Sequence, residues 1–190
     1  MKNHYKLLSP EMAQARAWGR KTVIRQKITK IVHTIGDTIT WLTTWSVDAE
    51  YDDLKPTELP IFLSHPDIWS YHKGIPKPDN HGKLRPGRFM PKWMRIYMPK
   101  DTITDIRVER VQKITPAHAL LEGIRKVTKD GIVKKYCVYD VPPFDMSSTP
   151  WQHMPRDPVE AYAQFWDTIN PKAPYRWDDN PRVLVIGWEK

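Results

Sequence analysis

A short helix with a clear start and a clear stop sets a lysine at a fixed corner near the beginning of the chain. Ser9 can cap this helix, Pro10 suits its first turn because proline has a fixed φ and no N–H, and Gly19 can adopt the left-handed conformation that ends it. Lys21 follows, and the β-branched residues after it predict a strand that carries Arg25. The sequence therefore predicts that basic side chains project from a rigid element.

The charge balance bears on the kind of partner. The 190 residues, enough for one domain, carry 30 Lys and Arg against 22 Asp and Glu, a net charge of +8. This excess favours polyanionic partners such as nucleic acid, although a merely basic surface is the alternative. Cys137 is the single cysteine, which excludes an internal disulfide and a cysteine zinc cage. No apolar run has the length of a signal peptide or a membrane span, so we expect a cytoplasmic protein without a membrane partner.

A long, proline-rich basic loop, residues 64–93, is the second informative feature. Six of the eight net positive charges lie between residues 64 and 100, interleaved with tryptophan, tyrosine and phenylalanine. Cations beside flat rings can grip phosphates while the rings stack on bases. The alternative is that the rings anchor the loop to the core and the charges are solvated. His65, His72 and His81 in or beside this loop match no known metal-ligand spacing, so no metal and no cofactor are predicted.

A second helix places an acidic group where a helix disfavours it. Thr115 and Pro116 open this helix and Gly123 ends it, so Glu122 falls in its last turn. A carboxylate there faces the negative end of the helix dipole, which costs a few tenths of a kcal/mol. Such a residue either tolerates the cost in solvent or marks a functional site. A third helix is predicted to follow Asp157, with an apolar stripe that packs in the core.

The order of short strands and three short helices has no βαβ rhythm. It predicts an α+β fold, specifically a small, partly closed β-barrel of mostly antiparallel strands with three short helices and the long basic loop. We expect a single domain over residues 1–190. Neither a phosphate-binding glycine loop nor a serine nucleophile motif is present.

An ordered series of motifs resembles the ASCH-domain (PUA-like) proteins of tailed phages and prophages, from about Pro10 to the end of the chain. The motifs are Gly19-Arg20-Lys21-Thr22, the Gly36-Asp37 turn leading to Thr44-Trp45, Arg85-Pro86-Gly87-Arg88-Phe89-Met90-Pro91-Lys92-Trp93, Asp105-Ile106-Arg107-Val108-Glu109-Arg110 and Trp177-Asp178-Asp179-Asn180-Pro181. The resemblance implies a PUA-like β-barrel related to RNA-binding and modified-base-reading modules. It also implies the cytoplasm of an infected host cell as the location.

One bacterial branch of that family hydrolyses the acetyl amide of N4-acetylcytidine. Its working groups are a lysine, a threonine three residues later and a glutamate near the end of the helix after the central strands. Lys21 and Glu122 match the lysine and the glutamate as candidate catalytic residues, but Ile24 stands at the threonine position. Leu42 and Thr43 stand where phage relatives usually carry an Arg-Glu pair. These departures favour binding over turnover.

Three functions are therefore open from the sequence. The leading one is binding of nucleic acid, RNA rather than DNA, or of a modified nucleotide; the others are an N4-acetylcytidine-type amidohydrolase and an interaction or anti-defence factor that binds an acidic host or virion protein. The candidate nucleic-acid- or ligand-binding residues are Arg20, Lys21, Thr22, Arg25, Thr44, Trp45, Arg85, Arg88, Phe89, Lys92, Trp93 and Arg95.

Overall fold

The chain folds as an α+β protein. The computed structural model describes residues 1–28, 32–60, 68–70, 77–129, 131–137 and 154–189. Its strands are β1 (Asn3–Leu7), β2 (Val23–Lys27), β3 (Thr38–Leu42), β4 (Trp45–Ser46), β5 (Trp69–Ser70), β6 (Lys100–Arg110), β7 (Arg125–Lys129), β8 (Ile132–Cys137) and β9 (Arg182–Glu189). Its helices are α1 (Pro10–Ala17), α2 (Pro116–Leu121) and α3 (Pro158–Ile169).

The central element is a mixed five-stranded sheet with the strand order β1-β3-β6-β9-β2. The β1–β3 pair is parallel and the other three pairs are antiparallel. Two further sheets have two strands each, β4–β5 and β7–β8. The mixed sheet with three helices confirms the α+β class. No sheet closes on itself within the described residues, so the predicted partly closed barrel is not shown.

The five-stranded sheet nevertheless curls until its two edge strands approach each other. Lys6 on β1 donates from Nζ to Oε1 of Gln26 on β2 at 2.6 Å, although these strands stand at opposite ends of the strand order. Side chains, and no described backbone pairing, therefore bridge the gap between the edges. We call this gap between β1 and β2 the seam.

The three helices begin as their local chemistry predicts. The side chain of Ser9 accepts from the backbone N–H of Met12 at the start of α1, and the side chains of Thr115 and Asp157 cap α2 and α3 in the same way. Gly19 follows α1 with φ 75° and Gly123 follows α2 with φ 102°. Both glycines occupy the left-handed conformation that ends a helix. Within the described residues, no helix combines the length and apolarity that a membrane span requires.

Two large apolar clusters stabilise the fold, beside a small third one that consists of Val127, Cys137 and Met154. The larger of the two joins the inner face of the sheet to the helices and includes Trp41, Leu184 and Trp166. The smaller of the two lies beneath the basic loop and contains Trp45, Met90 and Met94. Two short elements, β5 and a 3-10 helix at Gly87–Phe89, interrupt the loop that the prolines predicted to be irregular throughout. Residues 61–67 and 71–76 of this region lie outside the described residues.

A buried ion pair ties α1 to the sheet. Arg16 on α1 binds both carboxylate oxygens of Asp101 on β6, with Nε to Oδ2 at 2.7 Å. The indole Nε1 of Trp41 donates to the same Oδ2 at 2.7 Å. The side chain of Asp101 is fully buried. Its carboxylate thus accepts from three N–H donors, two of Arg16 and one of Trp41, that would otherwise be stranded in the core.

Replacing Asp101 should therefore be costly. We expect Asp101→Ala to lower the free energy of unfolding by about 3–5 kcal/mol, because it leaves the Arg16 guanidinium buried and unpaired. Asp105→Ala on the same strand is the matched control, since Asp105 is half-exposed in its pair with Arg107. It should cost at most about 1 kcal/mol. Urea unfolding of both variants measures the difference, and equal losses would contradict this reading of the buried pair.

A cluster at the turn before β3 should make stability depend on pH. Burial, together with the charges of Lys6 and His4, lowers the pKa of His33 from 6.5 to about 4. A hydrogen bond from His4, with one from the backbone of Lys2, lowers the pKa of Asp37 from 3.8 to about 2. Both groups therefore bind protons more readily in the unfolded chain.

The free energy of unfolding should fall as the pH drops from 6.5 to about 4, where the unfolded chain protonates His33 and the folded chain does not. The contribution of Asp37 is complete above pH 3.8 and is lost as the pH falls to about 2. His33→Gln should flatten the first window and leave the second. Urea midpoints across this pH range test both, and an unchanged slope in His33→Gln would refute the assignment to His33.

Candidate functional site

The structure brings Lys21 and Glu122 together at the junction of α1, α2 and β2. The backbone N–H of Thr22 donates to the carbonyl of Leu121 at 3.0 Å, and Lys21 forms an isolated antiparallel bridge with Glu122. Gly123 permits this approach, because a Cβ at that position would lie 3.2 Å from the Cβ of Ala15 on α1. The amine and the acid that the sequence singled out therefore share one site.

Every proton of the Lys21 ammonium has an acceptor. Nζ donates to Oε2 of Glu122 at 2.8 Å, to the Glu122 carbonyl at 2.9 Å and to the Val23 carbonyl at 2.9 Å. Lys21 and Glu122 are only 1 % and 2 % exposed. All three N–H bonds of the ammonium are therefore used in hydrogen bonds, and the ammonium has no lone pair with which to accept a proton. Lys21 thus acts as a fixed cation that fastens β2 to the end of α2.

Arg25 supplies the second cation at Glu122. Its NH1 donates to Oε1 of Glu122 at 2.9 Å, while its Nε and NH2 donate to Oε1 of Glu109 on β6 at 3.1 and 2.7 Å. Burial lowers the pKa of the Arg25 guanidinium, but Glu122 and Glu109 outweigh burial and raise it. Burial likewise raises the pKa of Glu109, but its hydrogen bond to Arg25 and the charge of Arg25 outweigh burial and lower it. Both groups are therefore held in their charged forms.

The charges continue along β6 in alternating order. Arg107 donates from Nε to Oε2 of Glu109 at 3.3 Å and also pairs with Asp105. We call the resulting set the charge series. Its members, from the surface inward, are Asp105, Arg107, Glu109, Arg25, Glu122 and Lys21. Three cations alternate with three anions, so the series carries no net charge.

A cavity of about 170 Å³ opens in the seam above this series. Lys21, Arg25 and Glu122 contribute to its lining beside apolar and aromatic walls. The other lining residues are Leu7, Leu8, Ser9, Met12, Ile24, Tyr162, Phe165 and Ile169. The volume is below the roughly 300–1,000 Å³ of typical small-molecule sites, and suits one ring-sized group.

Tyr162 of α3 forms the wall of this cavity above Arg25. Its ring centroid lies 6.0 Å from the guanidinium carbon, at the outer limit of a cation–π contact. Burial raises the pKa of the Tyr162 hydroxyl well above 10.0, and the negative charge of Glu122 adds to this effect. The phenol is therefore neutral at physiological pH.

The predicted loop residues divide into a buried set and an exposed set. Arg85 is buried and donates to the carbonyls of Leu54 and Tyr51, both at 2.8 Å. Trp45 is fully buried against it, with 5.6 Å between ring centroid and guanidinium carbon. These two residues therefore anchor the loop to the core, as the alternative interpretation predicted for its aromatic rings. They do not form part of an exposed binding surface.

The exposed set keeps the cation-beside-ring pattern. Arg88 lies 4.9 Å from the ring centroid of Phe89, and both side chains are exposed, as is Lys92. Arg95 and Trp93 are half-buried; the Arg95 guanidinium lies 5.0 Å from the ring of Tyr5 on β1. The segment directly after the basic loop therefore reaches the edge strand that borders the seam.

Three other predicted residues do not line the cavity. Thr22 is half-buried and its carbonyl accepts from Trp188 on β9 at 3.1 Å. Arg20 stacks on the exposed Trp18, 5.0 Å from its ring centroid. Thr44 is half-buried between β3 and β4. Among the described residues, no three His, Cys, Asp or Glu side chains are grouped to hold a metal ion.

Sequence reasoning missed part of the site. Tyr162 and Phe165 belong to the apolar stripe of the third helix, for which the sequence predicts packing in the core. The spacing of such a stripe is the same whether it meets other side chains or a cavity. For Glu109 the sequence gave only a weak indication of a site, namely the alternation of charged and apolar residues along β6. The partner of Glu109, Arg25, lies 84 residues away in sequence and follows only from the sheet order.

The pairing of Lys21 with Glu122 can be measured by a double-mutant cycle. We expect Glu122→Gln to destabilise the fold, because Lys21 and Arg25 then lack their shared anion. Lys21→Met should also destabilise it, because the buried carboxylate then keeps only one of its two cations, Arg25. The double variant should lose less than the sum of the single variants, with a coupling of about 1–3 kcal/mol. Urea unfolding gives the four values, and strict additivity would show that the two charges do not stabilise each other.

Comparison with known proteins adds no family to this geometry, since no protein-family model, curated protein or solved structure matches the chain. The resemblance to ASCH-domain proteins stays a prediction from the motifs.

Proposed function

We propose that this protein binds nucleic acid, RNA rather than DNA, or a modified nucleotide, without turning it over. The observation that carries the proposal is the seam cavity, in which Lys21, Arg25 and Glu122 converge beneath apolar and aromatic walls. A planar, polar, ring-sized group fits such a lining. The resemblance to PUA-like modules supports the choice of RNA.

The cavity offers hydrogen bonds that a base edge can use. Each carboxylate oxygen of Glu122 accepts one described hydrogen bond and keeps a second lone pair. The NH1 and NH2 groups of Arg25 each retain one N–H beyond those bonded to the two glutamates. Donors and acceptors thus lie side by side, with Phe165 and Tyr162 available as apolar surfaces for a ring.

The phosphates of such a ligand belong on the exposed part of the basic loop. Arg88 and Lys92 are exposed, and Phe89 beside them offers a ring on which a further base can stack. The route from the cavity to this loop runs along β1, where Leu7 lines the cavity and Tyr5 lies under Arg95. One strand of nucleic acid following this route would place a base in the seam.

Turnover is not part of the proposal, because the groups of the amidohydrolase branch lack their chemistry here. Lys21 would have to surrender a proton that is hydrogen-bonded before it could act as a base. Ile24 lines the cavity where the nucleophilic threonine of that branch would stand, and Thr22 does not line it. The hydroxyls in the lining are those of Ser9, which caps α1, and Tyr162.

Salt dependence separates the two parts of the interface. For single-stranded RNA, log affinity should fall linearly with log salt concentration, with a slope of about −0.7 per phosphate contact. The double variant Arg88→Ala/Lys92→Ala should weaken binding and flatten this slope by about 1.4. The control Lys113→Ala/Lys172→Ala removes two exposed cations from other segments and should leave slope and affinity near wild type.

A cavity variant should behave differently. Ile24→Phe fills the seam without changing charge, so it should reduce affinity about tenfold, the equivalent of about 1.4 kcal/mol, and leave the salt slope unchanged. Filter-binding titrations across a salt series supply both quantities. Absence of RNA and DNA binding, or a wild-type affinity that does not change with salt, would overturn the proposal.

The enzymatic alternative has its own readout. Incubation with N4-acetylcytidine should release no cytidine, as followed by chromatography, because base and nucleophile are both missing. Release that disappears in Lys21→Met would assign the site to hydrolysis instead. If the protein binds no RNA but captures a host or virion protein from nuclease-treated lysate, that result would favour the interaction factor.

A further inference from the structure

The outer edge of β1 carries backbone groups with no partner among the described residues. The carbonyl of Lys2 accepts from Thr38 and the N–H of Leu8 donates to Leu42, so even-numbered positions of this segment face β3. Successive residues of a strand turn their N–H and C=O groups to opposite sides. Those of Asn3, Tyr5 and Leu7 therefore face away from the sheet, where no described strand pairs with them.

The side chains at this edge are also exposed. Tyr5 is 50 % exposed and Leu7 is 57 % exposed, so neither side chain is packed into the core. Leu7 borders the seam cavity together with Ile169 of α3, which is 51 % exposed. An apolar surface thus runs from the edge of β1 into a pocket.

We propose that the open edge of β1 accepts an extended, acidic segment of a partner protein as an added strand. Strand addition uses this combination: unpaired N–H and C=O groups supply main-chain hydrogen bonds, and an adjoining pocket receives an alternate side chain. The apolar mouth formed by Leu7 and Ile169 suits one apolar side chain of that segment.

Charge selects the acidic partner. Lys6 is bonded to the neutral Gln26 and Arg95 to the carbonyl of Met90, so neither cation is compensated by a described carboxylate, and Lys2 is exposed at the start of the strand. A second copy of this chain would bring another net charge of +8 to the same edge and be repelled. Nucleic acid cannot reproduce the alternating donors and acceptors of a strand, whereas a polypeptide can.

The test uses a blocked peptide of three Glu-Val repeats as the probe, with the full chain labelled for amide hydrogen exchange by NMR. Binding should slow exchange of the Tyr5 and Leu7 amides by roughly tenfold or more, while the outward amides of β2 stay unchanged. A peptide of three Lys-Val repeats should not bind. A Glu-Val peptide with proline at its central valine should bind at least roughly tenfold more weakly, because it lacks a ladder donor.

A matched pair of variants isolates the backbone contribution. Tyr5→Ala and Tyr5→Pro both lose the ring, but only Tyr5→Pro loses the outward N–H, which the β1–β3 ladder does not use. The alanine variant should retain most of the affinity that the proline variant loses. Thermal unfolding reports whether both are folded; if Tyr5→Pro is not, protection of the wild-type amides decides the matter.

Three results would overturn the proposal. They are no binding of the Glu-Val peptide at millimolar concentration, equal binding by the two Tyr5 variants, and a concentration-dependent dimer that assigns the edge to a second copy. The peptide and RNA would both lie along β1 and enter the seam cavity, so each should displace the other. The peptide measurements contain no RNA, so their failure is distinguishable from a failure of the RNA titrations.

Discussion

The site depends on the hydrogen bonds that the buried carboxylate of Glu122 accepts from Lys21 and Arg25. This carboxylate lies at the end of a helix, where the dipole disfavours its charge, and it is almost completely buried. Two cations from the segment that follows α1 outweigh this cost through direct hydrogen bonds. Because α1, α2, β2 and, through Glu109, β6 all meet at these groups, the floor of the seam cavity is fixed by the same contacts that join the elements.

The curled sheet turns this junction into a recess. A flat sheet with the order β1-β3-β6-β9-β2 would hold its edge strands far apart, whereas here Lys6 and Gln26 meet across the seam. The strands approach without closing, and α3 covers the space between them with Tyr162 and Phe165. A complete barrel would have filled this space with backbone pairing, so incomplete closure is what leaves the cavity open.

Local chemistry made the helices and the Lys21 corner predictable from the sequence. Ser9, Thr115 and Asp157 cap the helices, and their signals need only neighbouring residues. Partners across the fold were not predictable, because the contact of Glu109 with Arg25 depends on the sheet order. The sequence also could not distinguish the buried Arg85 from the exposed Arg88, because both stand in one basic, proline-rich run. The family resemblance pointed to Lys21 and Glu122, and the geometry explains why these two positions meet.

The shared carboxylate also constrains how this protein can evolve. A chain that lost the acid at position 122 would retain two buried cations with one fewer anion between them, a far less favourable state than losing both members of a pair. Positions 21, 25 and 122 should therefore drift as a linked set. In relatives with an apolar residue at position 122, at least one of positions 21 and 25 should also have lost its cation. In an alignment of such relatives, substitutions at these three positions should therefore occur together.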